Sequence, residues 1–196
     1  MKKLLLVLLI LTNFTVISQD NNVKEILNYK NIDYFEWKKE GFTKNVIVEV
    51  DSIKQEKLFN LTKDWIKEIY NTPSKVIKAE IEYKKIRVQG YKKKAIKEKF
   101  MGTRYFDASY SFEISMKDGK YKFEPLYFSW FIPTRSDWVL VSNGRYSKKL
   151  FNNKGVLRKT YKYIPSSVEN LFNTLNISLY NYIQKNIRTN DKNDDW

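Results

Sequence analysis

Residues 44–71 read KNVIVEVDSIKQEKLFNLTKDWIKEIYN, a strand pattern that passes directly into a helix pattern. Val46, Val48 and Val50 alternate with residues that include two carboxylates, which is the two-residue period of a strand with one buried face. The next segment has apolar residues at helical spacing, which predicts an amphipathic helix that ends before Pro73. Its apolar stripe consists of Leu58, Phe59, Leu61, Trp65, Ile66 and Ile69.

The start of this helix carries a capping pattern. Asp51 or Ser52 is placed to accept hydrogen bonds from the free N–H groups, and Gln55 and Glu56 are placed to complete a capping box. Trp65 is predicted to be a packing residue rather than a ligand platform, because a Trp within an apolar helix stripe is usually part of the core.

The rest of the chain predicts four more strands and one more helix. From 105 to 116 every second residue is apolar, which is typical of an antiparallel strand with one solvated face. Asp118-Gly119 is a hairpin turn signal, and Pro125 predicts a bulge or an interrupted edge in the strand that follows. The predicted strands are 75–83, 85–91, 105–116 and 121–131. In the first of them Ile77, Ala79 and Ile81 are predicted to face inward. The second helix is predicted to run from a capping box at Ser166 and Glu169 to about Ile187.

Four stretches have weaker patterns. Residues 19–43 are predicted to be an extended lead-in whose aromatic residues pack against the domain, and residues 189–196 are predicted to be a polar tail. Residues 92–104, KKKAIKEKFMGTR, are predicted to form a basic loop. Residues 132–164 contain two turn signals, so an extra hairpin and a long ordered loop are both open.

The order of elements predicts an α+β fold, β-α-β-β-β-β-α. One antiparallel five-stranded sheet would carry two helices packed on one face. The chain of 196 residues is long enough for one sizeable core, and we predict a single domain at 44–188.

Residues 1–18 have the composition of a secretory signal peptide. Two lysines precede an apolar run, and small or polar residues follow it. The chain contains no cysteine, so the cleavage site cannot be lipidated. We therefore expect a periplasmic or secreted protein that is not a lipoprotein and has no transmembrane segment after cleavage.

The sequence resembles a family of exported proteins from Gram-negative bacteria that contains a domain of unknown function with a TATA-binding-protein-like (TBP-like) fold. The resemblance is carried by VEVD at 48–51, by the Leu-Phe and Trp-Ile pairs of the helix at 54–66, by the hairpin after that helix, and by KDGKY at 117–121. It covers roughly residues 44–131, and the final helix fits more loosely. The resemblance implies a TBP-like fold and brings no activity and no site residues.

The polar face of the predicted sheet is nearly neutral, although the net charge of the chain is +14. On this face Lys78, Lys85, Arg87, Lys120 and Lys122 are set against Glu80, Glu82, Asp107, Glu113 and Glu124. Specific DNA binding by this face is not expected, because affinity for DNA depends on a surplus of cations that face the phosphates. The predicted contact residues of the sheet face are Arg87, Gln89, Asp107, Ser109, Ser111 and Glu113.

The positive charge is concentrated in two connectors, residues 92–104 and residues 132–163. Each contains many lysines and arginines and a single carboxylate. If the connectors lie side by side, they form a patch suited to an anionic glycan, lipopolysaccharide or an anionic lipid surface; the alternative is two solvated loops that aid solubility. The candidate patch residues are Lys92, Lys93, Lys94, Lys97, Lys99, Arg145, Lys148, Lys149, Arg158 and Lys159.

Enzyme signatures are few. The chain has no histidine and no cysteine, which excludes the common catalytic triads and zinc sites, and it has no Gly-rich phosphate loop. We predict a non-enzymatic binding or structural module that contacts an envelope or extracellular partner without a metal or cofactor. The alternative is an envelope hydrolase that uses the strand carboxylates Glu80, Glu82 or Asp107.

Overall fold

The computed structural model describes residues 34–50, 52–99, 102–132, 137–140 and 147–190. The strands are β1 (Trp37–Lys38), β2 (Gly41–Phe42), β3 (Val46–Glu49), β4 (Ile77–Ile81), β5 (Lys85–Lys99), β6 (Thr103–Lys117), β7 (Lys120–Ile132) and β8 (Asp137–Leu140). The helices are α1 (Gln55–Ile69), α2 (Pro73–Val76), α3 (Ser147–Leu150) and α4 (Tyr163–Asn190), with a 3₁₀ helix at Lys159–Tyr161.

The main sheet is antiparallel and has the strand order β3-β7-β6-β5-β4. The long strands β5, β6 and β7 form its centre, whereas β3 and β4 are short edge strands. β3 pairs with the first part of β7, and β8 pairs with the end of β7. The predicted five-stranded sheet is therefore confirmed, with β8 as an additional strand, and the predicted bulge at Pro125 lies where the β6–β7 register shifts.

The core lies between one face of this sheet and the helices α1 and α4. Alternate residues of β6 from Phe106 to Met116 are buried, as the sequence predicts. Trp65 of α1 is 1% exposed and packs against Phe112, with 6.3 Å between the ring centroids. Its indole Nε1 donates a hydrogen bond to Ser178 Oγ of α4 (3.0 Å). The packing role of Trp65 is confirmed, and its polar atom is satisfied between the two helices.

Both predicted capping boxes are wrong. α1 begins at Gln55, whose backbone N–H donates to Asp118 Oδ1 in the β6–β7 turn (2.8 Å). The acceptor therefore comes from a distant part of the chain, which a local pattern cannot reveal. α4 begins at Tyr163, so Ser166 lies within its first turn and donates to the Tyr163 carbonyl (3.1 Å), while the Glu169 carboxylate accepts a hydrogen bond from the N-terminal segment.

From Ala79 onwards the two faces of β4 are the reverse of the prediction, whereas Ile77 lies opposite the buried Val88 and packs against the core, as predicted. Ala79 and Ile81 pair with the outward-facing residues of β5, and Ile81 is 48% exposed. Glu80 lies on the helix side, where its carboxylate accepts a hydrogen bond from Lys63 Nζ of α1 (2.8 Å). A register shift between Ile77 and Ala79 moves the alternation by one residue, and such a shift exchanges the faces of a strand.

The prediction of a basic loop at 92–104 is also wrong, because most of this stretch is strand. β5 continues to Lys99 and pairs with β6, which begins at Thr103. The pairing is interrupted by a bulge between Lys92 and Ile96, where Lys94 has a φ of 52°. The bulge breaks the two-residue alternation, so the sequence pattern does not show the strand.

The stretch 132–164 combines features of both alternatives. It contributes β8 to the sheet, the short helix α3, a bridged turn in which Phe151 pairs with Leu157, and the 3₁₀ helix. Phe151 and Leu157 pack against the main core, so this part of the connector is ordered.

The N-terminal residues 34–42 dock on α4. Phe35 and Trp37 are buried, which confirms the predicted packing for these two aromatic residues. The Phe35 backbone N–H donates to Asn173 Oδ1 (2.8 Å), and the Phe35 carbonyl accepts from Asn173 Nδ2 (3.0 Å). The Trp37 N–H donates to Glu169 Oε1 (2.7 Å). The signal peptide predicted at 1–18 lies outside the described residues, as does most of the predicted tail.

We expect Gly90→Ala to destabilise the fold, because the new Cβ would lie 2.4 Å from the Tyr110 ring. Tyr110 packs on the helix side of β6 and its hydroxyl hydrogen-bonds to that of Tyr70 (3.1 Å), so the ring cannot move without losing contacts. The expected cost is about 1–3 kcal/mol in the free energy of unfolding, measured by urea denaturation. Tyr110→Leu should cost less in the Gly90→Ala background than in the wild type; equal costs would contradict the steric explanation.

Candidate functional site

We call the face of the main sheet that points away from α1 and α4 the helix-free face. It carries all six predicted contact residues. Asp107, Ser109, Ser111 and Glu113 alternate with the buried residues of β6 and therefore point away from the helices. The β5–β6 register places Arg87 opposite Glu113 and Gln89 opposite Ser111. The residues predicted from alternation are thus brought together on one surface.

Glu113 is the centre of an ion-pair cluster on this face. Its carboxylate accepts hydrogen bonds from Arg87 Nη2 (2.9 Å) and Lys85 Nζ (3.2 Å), and its side chain is 10% exposed. Burial opposes the ionisation of Glu113, but the hydrogen bonds and charges of Arg87 and Lys85 outweigh it and hold the pKa below the ordinary value. A second pair, Lys122 with Glu124 (2.6 Å), lies beside it across β7. Both carboxylates in the middle of the face are therefore paired with cationic side chains.

Asp107 fastens the bulge of β5 to β6. Its carboxylate accepts hydrogen bonds from the Tyr91 hydroxyl and from the Lys94 backbone N–H (2.8 Å). The hydrogen bond from Tyr91 lowers the pKa of Asp107, with further contributions from the Lys94 backbone and from the charges of Lys93 and Lys94. Asp107 is thus an ionised acceptor that orients the lysine-bearing bulge. A general acid needs a raised pKa, whereas the pKa of Asp107 is lowered.

Hydroxyl groups form a band across the same face. Ser109 and Ser111 of β6 are partly exposed, and the register places Ser129 opposite Ser109 and Tyr127 opposite Ser111. The hydroxyls of Tyr127 and Ser129 are 2.7 Å apart and share a hydrogen bond. Ser129 is buried, so the hydroxyls that this band offers as donors and acceptors are those of Ser109, Ser111 and Tyr127.

The five predicted lysines of residues 92–99 all lie on β5, and Lys92, Lys93, Lys94 and Lys99 are exposed. Lys97 is the residue at which the two basic connectors, residues 92–104 and 132–163, come together. Its Nζ lies over the Tyr163 ring, 5.3 Å from the centroid, and Lys162 Nζ lies 5.8 Å from the same centroid. The Lys97 backbone N–H donates to Ser167 Oγ (3.1 Å), so the first turn of α4 closes this edge of β5.

The other predicted patch residues lie on the connector that precedes α4. Lys148 and Lys149 are exposed on α3, and Lys159 is exposed on the 3₁₀ helix, which packs beside β5. Arg158 donates from its Nε to the Phe151 carbonyl (3.4 Å). Arg145 lies outside the described residues. We call the surface formed by Lys92, Lys93, Lys94, Lys97, Lys99, Lys159 and Lys162 the basic edge.

Three aromatic residues at this end were not identified from the sequence. Tyr91 and Tyr105 lie on the helix-free face and are 54% and 51% exposed. Tyr163 joins the two basic segments. Both strand tyrosines could have been found from the alternation, because Tyr105 is at an outward position of β6 and Tyr91 is the next outward position after Gln89 in the predicted strand 85–91.

The carboxylates of the hydrolase alternative do not converge. Glu80 lies on the helix side and pairs with Lys63, whereas Asp107 is on the opposite face. Glu80 is level with Ile114 across β5, and Asp107 is seven residues further along β6, which is roughly 23 Å. Within the described ranges, no group of three or more potential ligands is placed to hold a metal ion. The helices of the described residues also lack the combination of length and apolar composition that a membrane span requires.

Two helices on one face of an antiparallel sheet, in the order described above, define an α+β protein with a TBP-like fold. Residues 42–129 match the family described as "Domain of unknown function (DUF4468) with TBP-like fold", which confirms the predicted family resemblance over this part of the chain. Comparison with curated proteins finds no match.

A solved structure agrees with this fold. A DUF4468 family protein from Bacteroides ovatus ATCC 8483 superposes with a TM-score of 0.52 at 10% sequence identity, over 71% of this chain and 84% of that one. A TBP-like protein from Parabacteroides distasonis ATCC 8503 has a TM-score of 0.49 at 14% identity, over 71% of this chain and 90% of that one. At these identities the likeness concerns the fold alone.

We expect Glu113→Gln to lower the free energy of unfolding at pH 7, because Arg87 and Lys85 lose their shared carboxylate. The lowered pKa of Glu113 means that its contribution is present above the ordinary carboxyl pKa and is lost as the pH falls through the folded-state pKa. Urea unfolding at pH 7 and pH 3 should show that wild type and variant differ less at the lower pH.

Glu124→Gln is the matched control, because its ion pair with Lys122 lies on the same face but is more exposed. Its effect at pH 7 should be smaller than that of Glu113→Gln. A difference between wild type and Glu113→Gln that stayed constant from pH 7 to pH 3 would contradict the electrostatic explanation.

Proposed function

We propose that this protein is a non-enzymatic binding module, exported to the periplasm or the cell exterior, that binds an anionic polymer or surface through the basic edge. The observation that carries the proposal is the meeting of the two basic segments at Tyr163, where Lys97 of β5 and Lys162 flank one ring. Cations that are far apart in the sequence thereby share one surface.

The distribution of charge supports this assignment. In the middle of the sheet face, each buried or half-buried carboxylate has a cationic partner, as in the Glu113 cluster. At the basic edge, Lys92, Lys93 and Lys94 are exposed on consecutive positions, and the charges of Lys93 and Lys94 act on the Asp107 carboxylate. A local surplus of exposed cations attracts anions and raises their association rate.

The chemistry that the basic edge would recognise is a series of carboxylate, sulfate or phosphate groups. An anionic glycan, lipopolysaccharide and an anionic lipid surface all present such groups. Sequence-specific recognition of duplex DNA is not part of the proposal, because the face that would contact the bases is balanced in charge.

The non-enzymatic character of the module is supported by the side chains available. The chain contains no histidine or cysteine, and the strand carboxylates that could replace them are held in separate ion pairs or hydrogen bonds. Their positions on opposite faces of the sheet favour structural roles.

We expect the triple variant Lys92→Ser/Lys93→Ser/Lys94→Ser to elute from heparin-agarose at clearly lower salt than the wild type. Three cations of the basic edge are lost, and the affinity of exposed charges falls with ionic strength. The measurement is the NaCl concentration at elution, combined with the dissociation constant for soluble heparin at several salt concentrations.

The matched control is Lys75→Ser/Lys78→Ser/Lys84→Ser, which removes the same charge from exposed positions near β4. It should elute close to the wild type. If both triple variants shifted by the same amount, heparin would be responding to total charge and the basic edge would not be the binding surface.

A further inference from the structure

We infer that the polymer bound at the basic edge is an acidic polysaccharide, whose sugar rings lie against Tyr91 and Tyr105 while its acidic groups face the lysines. This inference rests on the proposed function and names its ligand class. Two half-exposed tyrosine rings lie beside the basic edge, and the binding of anions alone does not require them.

The two tyrosines are on one surface and at a fixed spacing. Tyr105, Asp107 and Ser109 are successive outward residues of β6, and Tyr91 lies opposite Ser109. Tyr91 and Tyr105 are therefore separated by four residues along the strand direction, which is roughly 13 Å. The Tyr91 hydroxyl reaches Asp107, which lies between these positions, so the two rings are closer together than their backbone positions and can contact an extended chain at two neighbouring places.

The rings are held by the strands that carry them. The Tyr91 hydroxyl donates to Asp107, the same carboxylate that accepts the Lys94 N–H of the bulge. Tyr105 lies opposite Lys97, the lysine that contacts Tyr163. Each tyrosine is thus coupled to a cation of the basic edge, and a tyrosine loses little conformational entropy when it binds.

A polysaccharide matches the mixed chemistry of this surface. One face of a sugar ring is composed of C–H groups and packs against an aromatic ring, while its hydroxyls can bond to Ser109, Ser111 and Gln89. The acidic substituents would lie at Lys93 and Lys94, in the bulge that Asp107 holds beside Tyr91, outside the ring contacts.

Nucleic acid fits this surface less well, although stacking on aromatic side chains also occurs in single-strand binders. A nucleic acid carries a phosphate on every nucleotide. A strand that followed Tyr91 and Tyr105 along β6 would bring its phosphates beside Asp107 and towards Glu113. In an acidic polysaccharide the acidic groups are substituents of the sugar rings rather than the linkages of the chain, so they can face the lysines while the uncharged part of the rings passes Asp107.

The test uses polygalacturonate, with dextran as the neutral polysaccharide and a single-stranded dT oligonucleotide as the alternative polyanion. Dissociation constants are measured for the full chain and for Tyr91→Ser, Tyr105→Ser and Tyr105→Phe. Each serine variant should weaken polygalacturonate binding by about threefold to tenfold, and Tyr105→Phe should stay within about twofold because the ring is kept. Dextran should bind much more weakly than polygalacturonate.

Two controls separate binding from folding. Ile47→Ser removes an exposed apolar side chain from β3, at the opposite edge of the sheet, and should leave polygalacturonate binding unchanged. Urea unfolding of Tyr105→Ser should show the wild-type midpoint, since the ring is half exposed. Tyr91→Ser also loses the hydrogen bond to Asp107, so its binding is compared with that of Tyr91→Phe, which loses the same bond but keeps the ring.

The outcomes distinguish this inference from the proposed function. If the serine variants bound polygalacturonate like the wild type while the Lys92–Lys94 triple variant bound it weakly, the tyrosines would have no role and the inference would be overturned, with the proposed function intact. Equal or tighter binding of the dT oligonucleotide, lost in the serine variants, would overturn it in favour of nucleic acid. If neither the serine variants nor the Lys92–Lys94 triple variant bound polygalacturonate more weakly than the wild type, both the inference and the proposed function would be overturned.

Discussion

The burial of one face of the long β5–β6–β7 sheet by α1 and α4 is the constraint on which the structure depends. The alternate apolar residues of β6 and the Trp65 side chain form the centre of this contact. Because successive side chains of a strand point to opposite faces, burial of one set fixes the positions of the other. The helix-free surface, with Glu113, Asp107 and Tyr105, is therefore determined by the core, and any ligand meets side chains on a rigid support.

That support explains how charge is divided over the surface. In the middle of the helix-free face the carboxylates are paired with cations, as in Arg87–Glu113 and Lys122–Glu124. The surplus of positive charge in the chain is therefore not concentrated there. At the far end of β5 the bulge at Lys94 presents consecutive lysines, and Lys162, between the 3₁₀ helix and α4, lies beside the Tyr163 ring that Lys97 also contacts. One sheet thus combines a balanced, hydroxyl-rich area with a cationic border, and the tyrosines lie between them.

The sequence was sufficient where one physical factor dominated. The period of β6 and the helical stripe around Trp65 reflect burial on one side, so both elements and the overall α+β order are predicted correctly. It was insufficient where distant residues decide the local structure. The α1 cap comes from Asp118 in another turn, and a register shift reverses the faces of β4. Lys-rich residues 92–99 resemble a loop, yet pairing with β6 makes them a strand. The same holds for the candidate site. The residues of the sheet face can be predicted from strand alternation, whereas the contact of Lys97 and Lys162 with Tyr163 is visible only in the folded structure.

The central claim is that the basic edge and the adjoining tyrosines form one binding surface. Titration of ¹⁵N-labelled protein with polygalacturonate fragments, followed by amide chemical shifts, tests this claim directly. We expect the largest shifts to be confined to residues 91–99, 103–109 and 159–163, at salt concentrations that permit binding. Shifts centred on β3, β4 or the exposed side of α1, with the basic edge unaffected, would contradict it.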